Sequence, residues 1–312
     1  MRMSCAWLAI SLLAGSSVAI SSPQTATISI PAWVDGGDCA IAPQFEATLN
    51  NKPAAVVAQL DPASDQMILV VFDLTDDLSI IEAAKQAVAA EIAKLPKNAW
   101  VGLLRAQDGL HVLADPSADH EQLAGVIQSL SSSGGPGLLG TVPSALALGD
   151  AILRKSAVRV SVLLVTDGSI YGYREDYTNP VINESDPHDL SRRIPGALIE
   201  EAFSKLKDAA GSLQAPLFIV HLNYRQDRLN VIYQNGLDTL AGSTGGMVGF
   251  CRSQAEIPKV IAAMFTRVSS AWRLDLAVPE NLPNNIQIRL SAPCSEGERH
   301  LSWRARLYAK EG

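Results

Sequence analysis

Two long apolar runs in the middle of the chain constrain the fold more than any other feature of the sequence. Met67–Phe72 contains only apolar side chains, and Val158–Val165 is almost as apolar. A strand that is apolar along its length is buried on both faces, as the inner strands of parallel sheets are. Shorter strand patterns occur at Trp100–Leu104, Leu110–Leu113, Leu217–His221 and Met247–Phe250.

Segments with helical periodicity alternate with these strands. They lie at Ser79–Leu95, Ser117–Leu130, Val142–Arg154, Pro195–Ala210, Leu229–Ala241 and Gln254–Ser269. In the first of them, apolar residues recur at the three- and four-residue spacing of one helix face. The alternation predicts an α/β domain over residues 66–270, with a doubly wound, mostly parallel six-stranded sheet and helices on both faces.

The two ends of the chain have a different pattern, in which apolar and polar residues alternate. In residues 271–312 the alternation runs through Trp272–Val278, Ile286–Leu290 and Leu301–Leu307. Residues 20–65 form an N-terminal β segment, in which Phe45–Leu49 and Ala54–Leu60 are expected to make a hairpin. Neither end can bury its apolar face alone, so we expect both to pair into one small antiparallel β unit beside the α/β domain.

Residues 1–19 have the parts of a secretory signal peptide. Arg2 is the positive end, Ala6–Ala14 is a short apolar run, and Ser17-Val18-Ala19 ends on a small residue. The apolar run is shorter than the ~20 residues that a membrane span needs. We predict cleavage after Ala19 and export to the periplasm or the medium, with no membrane span after cleavage. An uncleaved anchor and a buried N-terminal strand are the alternatives.

The charge of the chain argues against two classes of partner. The sequence has 32 acidic and 25 basic residues, a formal charge of −7, and no cluster of Lys and Arg. Nucleic acids and anionic membrane surfaces are attracted by basic patches. We therefore predict that neither is a partner, which leaves a protein ligand of unknown identity.

Three cysteines remain after signal cleavage, so at most one intrachain disulfide can form. Cys39 and Cys294 both fall in the predicted β unit, and we expect any bridge to join this pair. Cys251 is then a free thiol, buried at the start of the last helix.

Polar residues converge at the carboxyl ends of the two apolar strands. In a sheet of order 3-2-1-4-5-6, ligands bind where the strand order reverses, between the first and fourth strands. Asp73, Thr75 and Asp77 follow the first strand, and Thr166-Asp167-Gly168 follows the fourth. Thr141 precedes the helix that we expect to start near Val142, at the same edge. Carboxylate and hydroxyl oxygens suit Mg²⁺, Mn²⁺ or Ca²⁺.

These residues resemble the metal-ion-dependent adhesion site of von Willebrand factor A domains. The matching positions are Asp73-x-Thr75-x-Asp77, Thr141 and Thr166-Asp167-Gly168, and the likeness extends along most of the mature chain. Further segments are similar to a bacterial group, the von Willebrand factor A-related proteins abundant in Acidobacteria: Asn51–Ala54, Leu240–Gly246 and Arg304–Tyr308. The resemblance implies a Rossmann-like doubly wound domain, export and a non-catalytic role in protein binding.

The resemblance also implies a ligand set for a divalent cation. Asp73 and Asp167 would hold the ion partly through water, and Thr75 and Thr141 would supply hydroxyl oxygens. Where the family has a second serine, this chain has Asp77, which could ligate the ion directly and weaken its attraction for an acidic partner. The site could therefore hold Ca²⁺, be satisfied internally or be vestigial. The same residues have plain alternatives: acids at a helix start, a helix cap at Thr141 and an Asp-Gly turn.

A long polar segment from Gly168 to about Arg193 follows the fourth strand. Its Tyr171, Tyr173, Arg174 and Tyr177 are of the types enriched at binding hot spots, so we predict partner contacts there. A solvated insertion that orders itself is the alternative.

Enzyme motifs are absent from the sequence. It has no G-x-S-x-G, no H-E-x-x-H, no P-loop and no G-x-G-x-x-G after the first strand. A hydrolase that uses Asp73 and Asp167 with a metal-activated water would lack an evident base or nucleophile. The remaining alternative is a metal-free scaffold that interacts through its β unit.

Overall fold

The computed structural model describes residues 26–37, 42–75, 77–132, 134–173, 196–278, 283–294 and 299–308. The predicted signal peptide lies outside these residues.

The N-terminal strands are β1 (Thr27–Gly37), β2 (Glu46–Leu49), β3 (Lys52–Ala54) and β4 (Val56–Leu60). The central elements are β5 (Gln66–Asp73), α1 (Leu78–Ile92), β6 (Ala99–Arg105), β7 (His111–Ser117), α2 (His120–Gln128), α3 (Leu138–Lys155), β8 (Arg159–Thr166), α4 (Gly196–Ala210), β9 (Leu217–His221), α5 (Arg228–Ser243), β10 (Val248–Phe250) and α6 (Ile257–Ser269). The chain continues with β11 (Trp272–Ala277), β12 (Asn285–Ser291), β13 (Arg299–Trp303) and β14 (Arg306–Tyr308).

The central sheet has six strands in the order β10-β9-β8-β5-β6-β7. All neighbouring strands are parallel except β6 and β7. Numbered within this sheet, the order is 3-2-1-4-5-6 read from the β7 edge, and β5 and β8 are the two strands at which it reverses. The predicted doubly wound, mostly parallel six-stranded sheet is confirmed.

Helices cover both faces of the sheet, which explains the unbroken apolar character of its inner strands. From β5, Ile68 and Phe72 pack into the core shared with α1, α2 and α6. The alternate residues Leu69 and Val71 pack into the opposite core, shared with α3, α4 and α5. Because successive side chains of a strand point to opposite faces, a strand between two helical layers is apolar at most of its positions.

Both chain ends form one β unit, as predicted, but it contains two antiparallel sheets. Their orders are β13-β1-β11-β4 and β14-β12-β2-β3, with a shared apolar core between them. The predicted hairpin of residues 45–49 with 54–60 forms only in part. Strand β2 pairs with the short β3, and the chain then changes sheet at Ala55, so that β4 pairs with β11. The predicted strand Leu301–Leu307 is likewise divided between the two sheets, as β13 and β14.

Buried arginines join the β unit to the amino ends of the central strands. Arg159, the first residue of β8, donates to Ser64 O at 2.9 Å, Ser269 O at 2.9 Å and Ala271 O at 3.1 Å. Arg304, between β13 and β14, donates to Gly211 O at 2.9 Å. These contacts leave the β unit at one end of the sheet and the carboxyl ends of the strands at the other.

Two smaller findings concern the cysteines and membrane spans. Cys294 is disulfide-bonded. Cys39 lies outside the described residues, so the Cys39–Cys294 pairing stays a prediction. Cys251 is a free, buried thiol. In the described parts of the chain, no helix combines the length and hydropathy that crossing a membrane requires.

Candidate functional site

Asp73 ends β5 and is fully buried at the point where the strand order reverses. Its Oδ1 accepts from Gly137 N at 2.9 Å. Its Oδ2 accepts from Leu138 N at 3.3 Å and from Thr166 Oγ1 at 3.2 Å. The two amides open α3, whose preceding residue Gly137 has no side chain to cap it. The carboxylate of Asp73 is therefore the N-terminal cap of α3, where the helix dipole favours negative charge.

The glycine at position 137 is what allows this contact. A Cβ on Gly137 would lie 1.6 Å from the carbonyl oxygen of Ala106, at the end of β6. Only a residue without a side chain can bring its amide this close to the sheet edge. The helix start, the strand end and the carboxylate thus form one close-packed junction.

The electrostatics of Asp73 reflect its burial. Its pKa is raised to about 6, mainly by burial and also by the nearby charge of Asp167, while the hydrogen bonds from Gly137, Leu138 and Thr166 act in the opposite direction. The group is ionised at neutral pH and depends on these donors for its stabilisation.

Asp167 ties the ends of β5 and β8 together. Its Oδ1 accepts from Thr75 N at 2.8 Å, and its own amide donates to Asp73 O at 3.4 Å. Its side chain is fully buried. Thr166 Oγ1 also accepts from Gly168 N at 3.0 Å. The Thr-Asp-Gly segment therefore acts as an internal brace at this sheet edge.

The other three predicted ligands lie at the same edge but have structural partners. Thr75 is half-buried and contacts Asp167 through its backbone. Asp77 is exposed and caps α1, since its Oδ1 accepts from Ser79 N at 2.8 Å and Ser79 Oγ at 2.7 Å. Thr141 lies inside the first turn of α3, because the helix begins at Leu138 and not near Val142 as predicted. Its hydroxyl donates to Gly137 O at 2.8 Å.

In the observed arrangement the predicted ligands make hydrogen bonds within the chain. The two oxygens of Asp73 accept three hydrogen bonds from N–H and O–H groups, so most of the lone-pair directions of this carboxylate are occupied. Asp77 is engaged as a surface cap of a different helix. Within the described ranges, no group of three or more His, Cys, Asp and Glu side chains is placed to hold a metal ion. Asp76 lies outside the described residues, and the five-residue ligand set stays a prediction.

His221 is a neighbour of the site that sequence patterns did not single out. It ends β9, directly beside Thr166 in the parallel register. It is buried, and its Nε2 donates to Gly168 O at 2.9 Å. Burial lowers its pKa to about 4, so the ring is neutral at physiological pH. Among the described residues its Nδ1 has no hydrogen-bond partner. Its burial indicates a structural role.

The tyrosines after β8 have different environments. Tyr173 is only 4% exposed and packs against Tyr233, with ring centroids 6.3 Å apart. It belongs mainly to the core, although part of it lines an open groove beside α3, and its predicted contact with a partner stays a prediction. Tyr171 is half-buried, and its hydroxyl donates to Asp227 Oδ1 at 2.9 Å. The predicted contacts Arg174 and Tyr177 lie outside the described residues.

An open groove of about 710 Å³ runs beside the start of α3. Its lining includes Gly137 and Thr141 on one side and Lys205 of α4 on the other. Asp73 and Asp167 do not line it, because both are buried beneath this surface. The groove gives no access to the two carboxylates.

The strand order, the helices on both faces and the Asp73–Asp167 junction define a von Willebrand factor A-like domain. Three solved structures are similar to the chain. A von Willebrand factor type A protein from Catenulispora acidiphila is 14% identical, with 85% of this chain and 72% of that chain covered and a TM-score of 0.48. The conserved hypothetical protein BatB from Bacteroides thetaiotaomicron is 14% identical, with 66% and 99% covered and a TM-score of 0.40.

The third is proximal thread matrix protein 1 from the mussel byssus, with a zinc-occupied metal-ion-dependent adhesion site (MIDAS) motif. It is 15% identical, with 73% of this chain and 49% of that chain covered and a TM-score of 0.43. No family model and no curated protein matches the chain. Identities this low relate the proteins by fold alone.

Proposed function

We propose that the protein is an exported, non-catalytic binding protein that engages a protein partner at the carboxyl edge of its central sheet without a bound cation. The observation that carries the proposal is the internal satisfaction of Asp73. Its two oxygens accept three hydrogen bonds from the chain itself, two of them from the start of α3. A residue used in this way is part of the scaffold that shapes the edge.

The same geometry speaks against the hydrolase alternative. Asp73 and Asp167 are both 0% exposed, so neither can contact a substrate. A general base must reach the proton that it removes, directly or through one water. His221, the nearest histidine in the sheet register, is buried and neutral. The edge therefore offers a surface for binding and no accessible acid–base pair among these residues.

The position of the β unit supports binding at the carboxyl edge over binding through the β unit. The unit is attached at the amino ends of the strands through Arg159 and Arg304. The loops at the opposite edge are left uncovered by it. In open α/β sheets this edge is where ligands bind. Export is supported by the signal-like residues 1–19.

A cation-dependent adhesion site is the second candidate. Its support is that Asp73, Thr75, Asp77, Thr141 and Asp167 all lie at one edge of the sheet, as the resemblance requires. Calorimetric titration of Mg²⁺, Mn²⁺ and Ca²⁺ into chelator-treated mature protein separates the two. We expect no saturable binding of any ion. Binding that is lost in Asp77→Ala, an exposed position where folding is retained, would establish the cation-dependent site and refute the metal-free proposal.

The non-catalytic part of the proposal needs its own measurement. Ester, phosphate-ester and peptide substrates are incubated with the protein, with and without each ion. We expect no turnover above the buffer rate. Turnover that disappears in Asp167→Asn, while the folded fraction is unchanged, would show that the carboxylate pair is catalytic.

A further inference from the structure

Arginine and tyrosine side chains gather on one half of the carboxyl edge, after strands β8, β9 and β10. We call this surface the arginine–tyrosine patch; its members are Tyr171, Tyr224, Arg225, Arg228 and Arg252. Tyr171 follows β8, Tyr224 and Arg225 follow β9, and Arg252 follows β10. Because these three strands are parallel neighbours, their carboxyl ends lie side by side. Arg228 is the first residue of α5.

Stacking holds the outer part of the patch. The guanidinium of Arg252 lies over the ring of Tyr224, with Cζ 5.6 Å from the centroid. The other partner of that ring is Phe250, with centroids 5.5 Å apart and the rings nearly perpendicular. The amide of Tyr224 donates to Cys251 O at 2.9 Å, which fixes the two strand ends together. An arginine placed over an aromatic ring loses less freedom when it binds a ligand.

The inner part of the patch is ordered by Asp227. This residue caps α5: its Oδ1 accepts from Asn230 N at 3.1 Å and from the hydroxyl of Tyr171, and its Oδ2 accepts from Asn230 Nδ2 at 2.8 Å. Its oxygens are therefore committed to the helix cap and to the tyrosine. Arg228, the next residue, is exposed beside them.

The exposed guanidinium groups of Arg228 and Arg252 are not neutralised. Within the described residues, neither has a carboxylate oxygen within the 4.0 Å of an ion pair, whereas Arg154 and Arg273 are paired with Asp150 and Asp275. Glu256 lies near Arg252, but its Oε2 accepts a hydrogen bond from the backbone amide of Arg252 and not from the guanidinium group. The two exposed guanidinium groups, unpaired among the described residues, can form forked hydrogen bonds to a carboxylate.

We propose that the arginine–tyrosine patch is the partner-binding surface and that it takes a protein segment rich in Asp and Glu. The inference rests on the proposed function and deepens it. At a carboxyl edge that binds its partner without a cation, the arginines supply the positive charge that attracts carboxylates. The whole chain has a charge of −7, which disfavours long polyanions such as nucleic acids. A short acidic segment contacts only the patch, and charges beyond about 8 Å are largely screened at physiological salt.

The test is fluorescence anisotropy with a labelled oligoglutamate peptide of about ten residues, using the mature protein in chelator. We expect saturable binding that weakens as salt is raised. Arg228→Ala and Arg252→Ala should each weaken binding about threefold and together about tenfold, the effect of losing one modest charged contact each. Arg252→Glu should weaken it further, and Arg252→Lys should bind between the wild type and Arg252→Ala, because lysine keeps the charge but cannot form the forked hydrogen bonds.

Lys97→Glu is the matched control. Lys97 is exposed and follows α1 at the opposite end of the sheet, so its reversal changes net charge equally without touching the patch. If it weakens binding as much as Arg252→Glu, the attraction is general and the inference is wrong. Failure of the folded wild type to bind the peptide, or tighter binding of an oligonucleotide, also overturns it. Because chelator is present throughout, these results are independent of the cation titration that tests the proposed function.

Discussion

Replacing Asp73 by alanine tests whether this carboxylate is scaffold or metal ligand. The change removes the acceptor of three hydrogen bonds, donated by Gly137 N, Leu138 N and Thr166 Oγ1. A buried donor left without its acceptor costs about 1–3 kcal/mol, so the three together cost roughly 3–9 kcal/mol. Removing a buried charge acts in the other direction.

That opposing contribution can be sized from the pKa of Asp73. Burial raises it from 3.8 to about 6. Since one pKa unit corresponds to about 1.4 kcal/mol, losing the buried charge returns about 3 kcal/mol at neutral pH. Taking the middle of the hydrogen-bond range, we expect Asp73→Ala to lower the free energy of unfolding by about 3 kcal/mol.

Urea unfolding in chelator, followed by circular dichroism, measures this change. A metal ligand that is idle without its ion would give the opposite sign, because its removal relieves repulsion with Asp167. A gain in stability would refute the capping role of Asp73. Asp77→Ala is the comparison, since an exposed helix cap is worth about 1 kcal/mol.

Three further changes probe the same framework. Gly137→Ala should prevent folding or lower the free energy of unfolding by more than about 3 kcal/mol, because its Cβ would lie 1.6 Å from Ala106 O. Gly140 has open space around it, so Gly140→Ala should leave the thermal melting temperature unchanged or raise it. Arg159→Met should lower the free energy of unfolding, measured in urea, by about 2–4 kcal/mol, because the carbonyl groups that accept from Arg159 lose their donor. Equal stability of variant and wild type would contradict this. Burial lowers the pKa of His221 to about 4, so the unfolded state binds its proton first as the pH falls, and the contribution of this residue to stability should fall by up to about 3 kcal/mol from pH 6.5 to 4. Unfolding of His221→Gln against pH should lack that loss, while the opposite slope from Asp73 stays the same in both proteins.

The central sheet was predictable because its strands are buried on both faces and its helices have one apolar face. These are local properties of the sequence. The start of α3 was not predictable in the same way. Gly137 has no side chain that caps the helix, and the cap comes from Asp73, 64 positions earlier. Local sequence patterns therefore predicted a helix start near Val142 instead of Leu138 and left Thr141 outside the helix.

The candidate site shows a similar limit. The sequence identified the carboxylates and hydroxyls that meet at the sheet edge. It could not show that backbone amides of α3 and of Thr75 already satisfy Asp73 and Asp167. Amides are present at every position, so their direction is known only from the fold. The burial of Tyr173 was not predictable for a related reason, because a polar sequence surrounds a side chain that the 3-10 turn Ile170–Tyr173 largely buries.

The division of the β unit between the two chain ends has a consequence for the order of folding. Strand β1 pairs with β11, so Ser29 contacts Asp275 across 246 positions of sequence. During synthesis β1 must wait until the whole central domain has emerged. Once that domain folds, the Arg159 side chain donates hydrogen bonds to both Ser64 O and Ser269 O, which holds these two residues close together. A loop of about 200 residues is thereby closed in advance, and its closure entropy no longer opposes strand pairing. The central domain is thus the template on which the β unit assembles last.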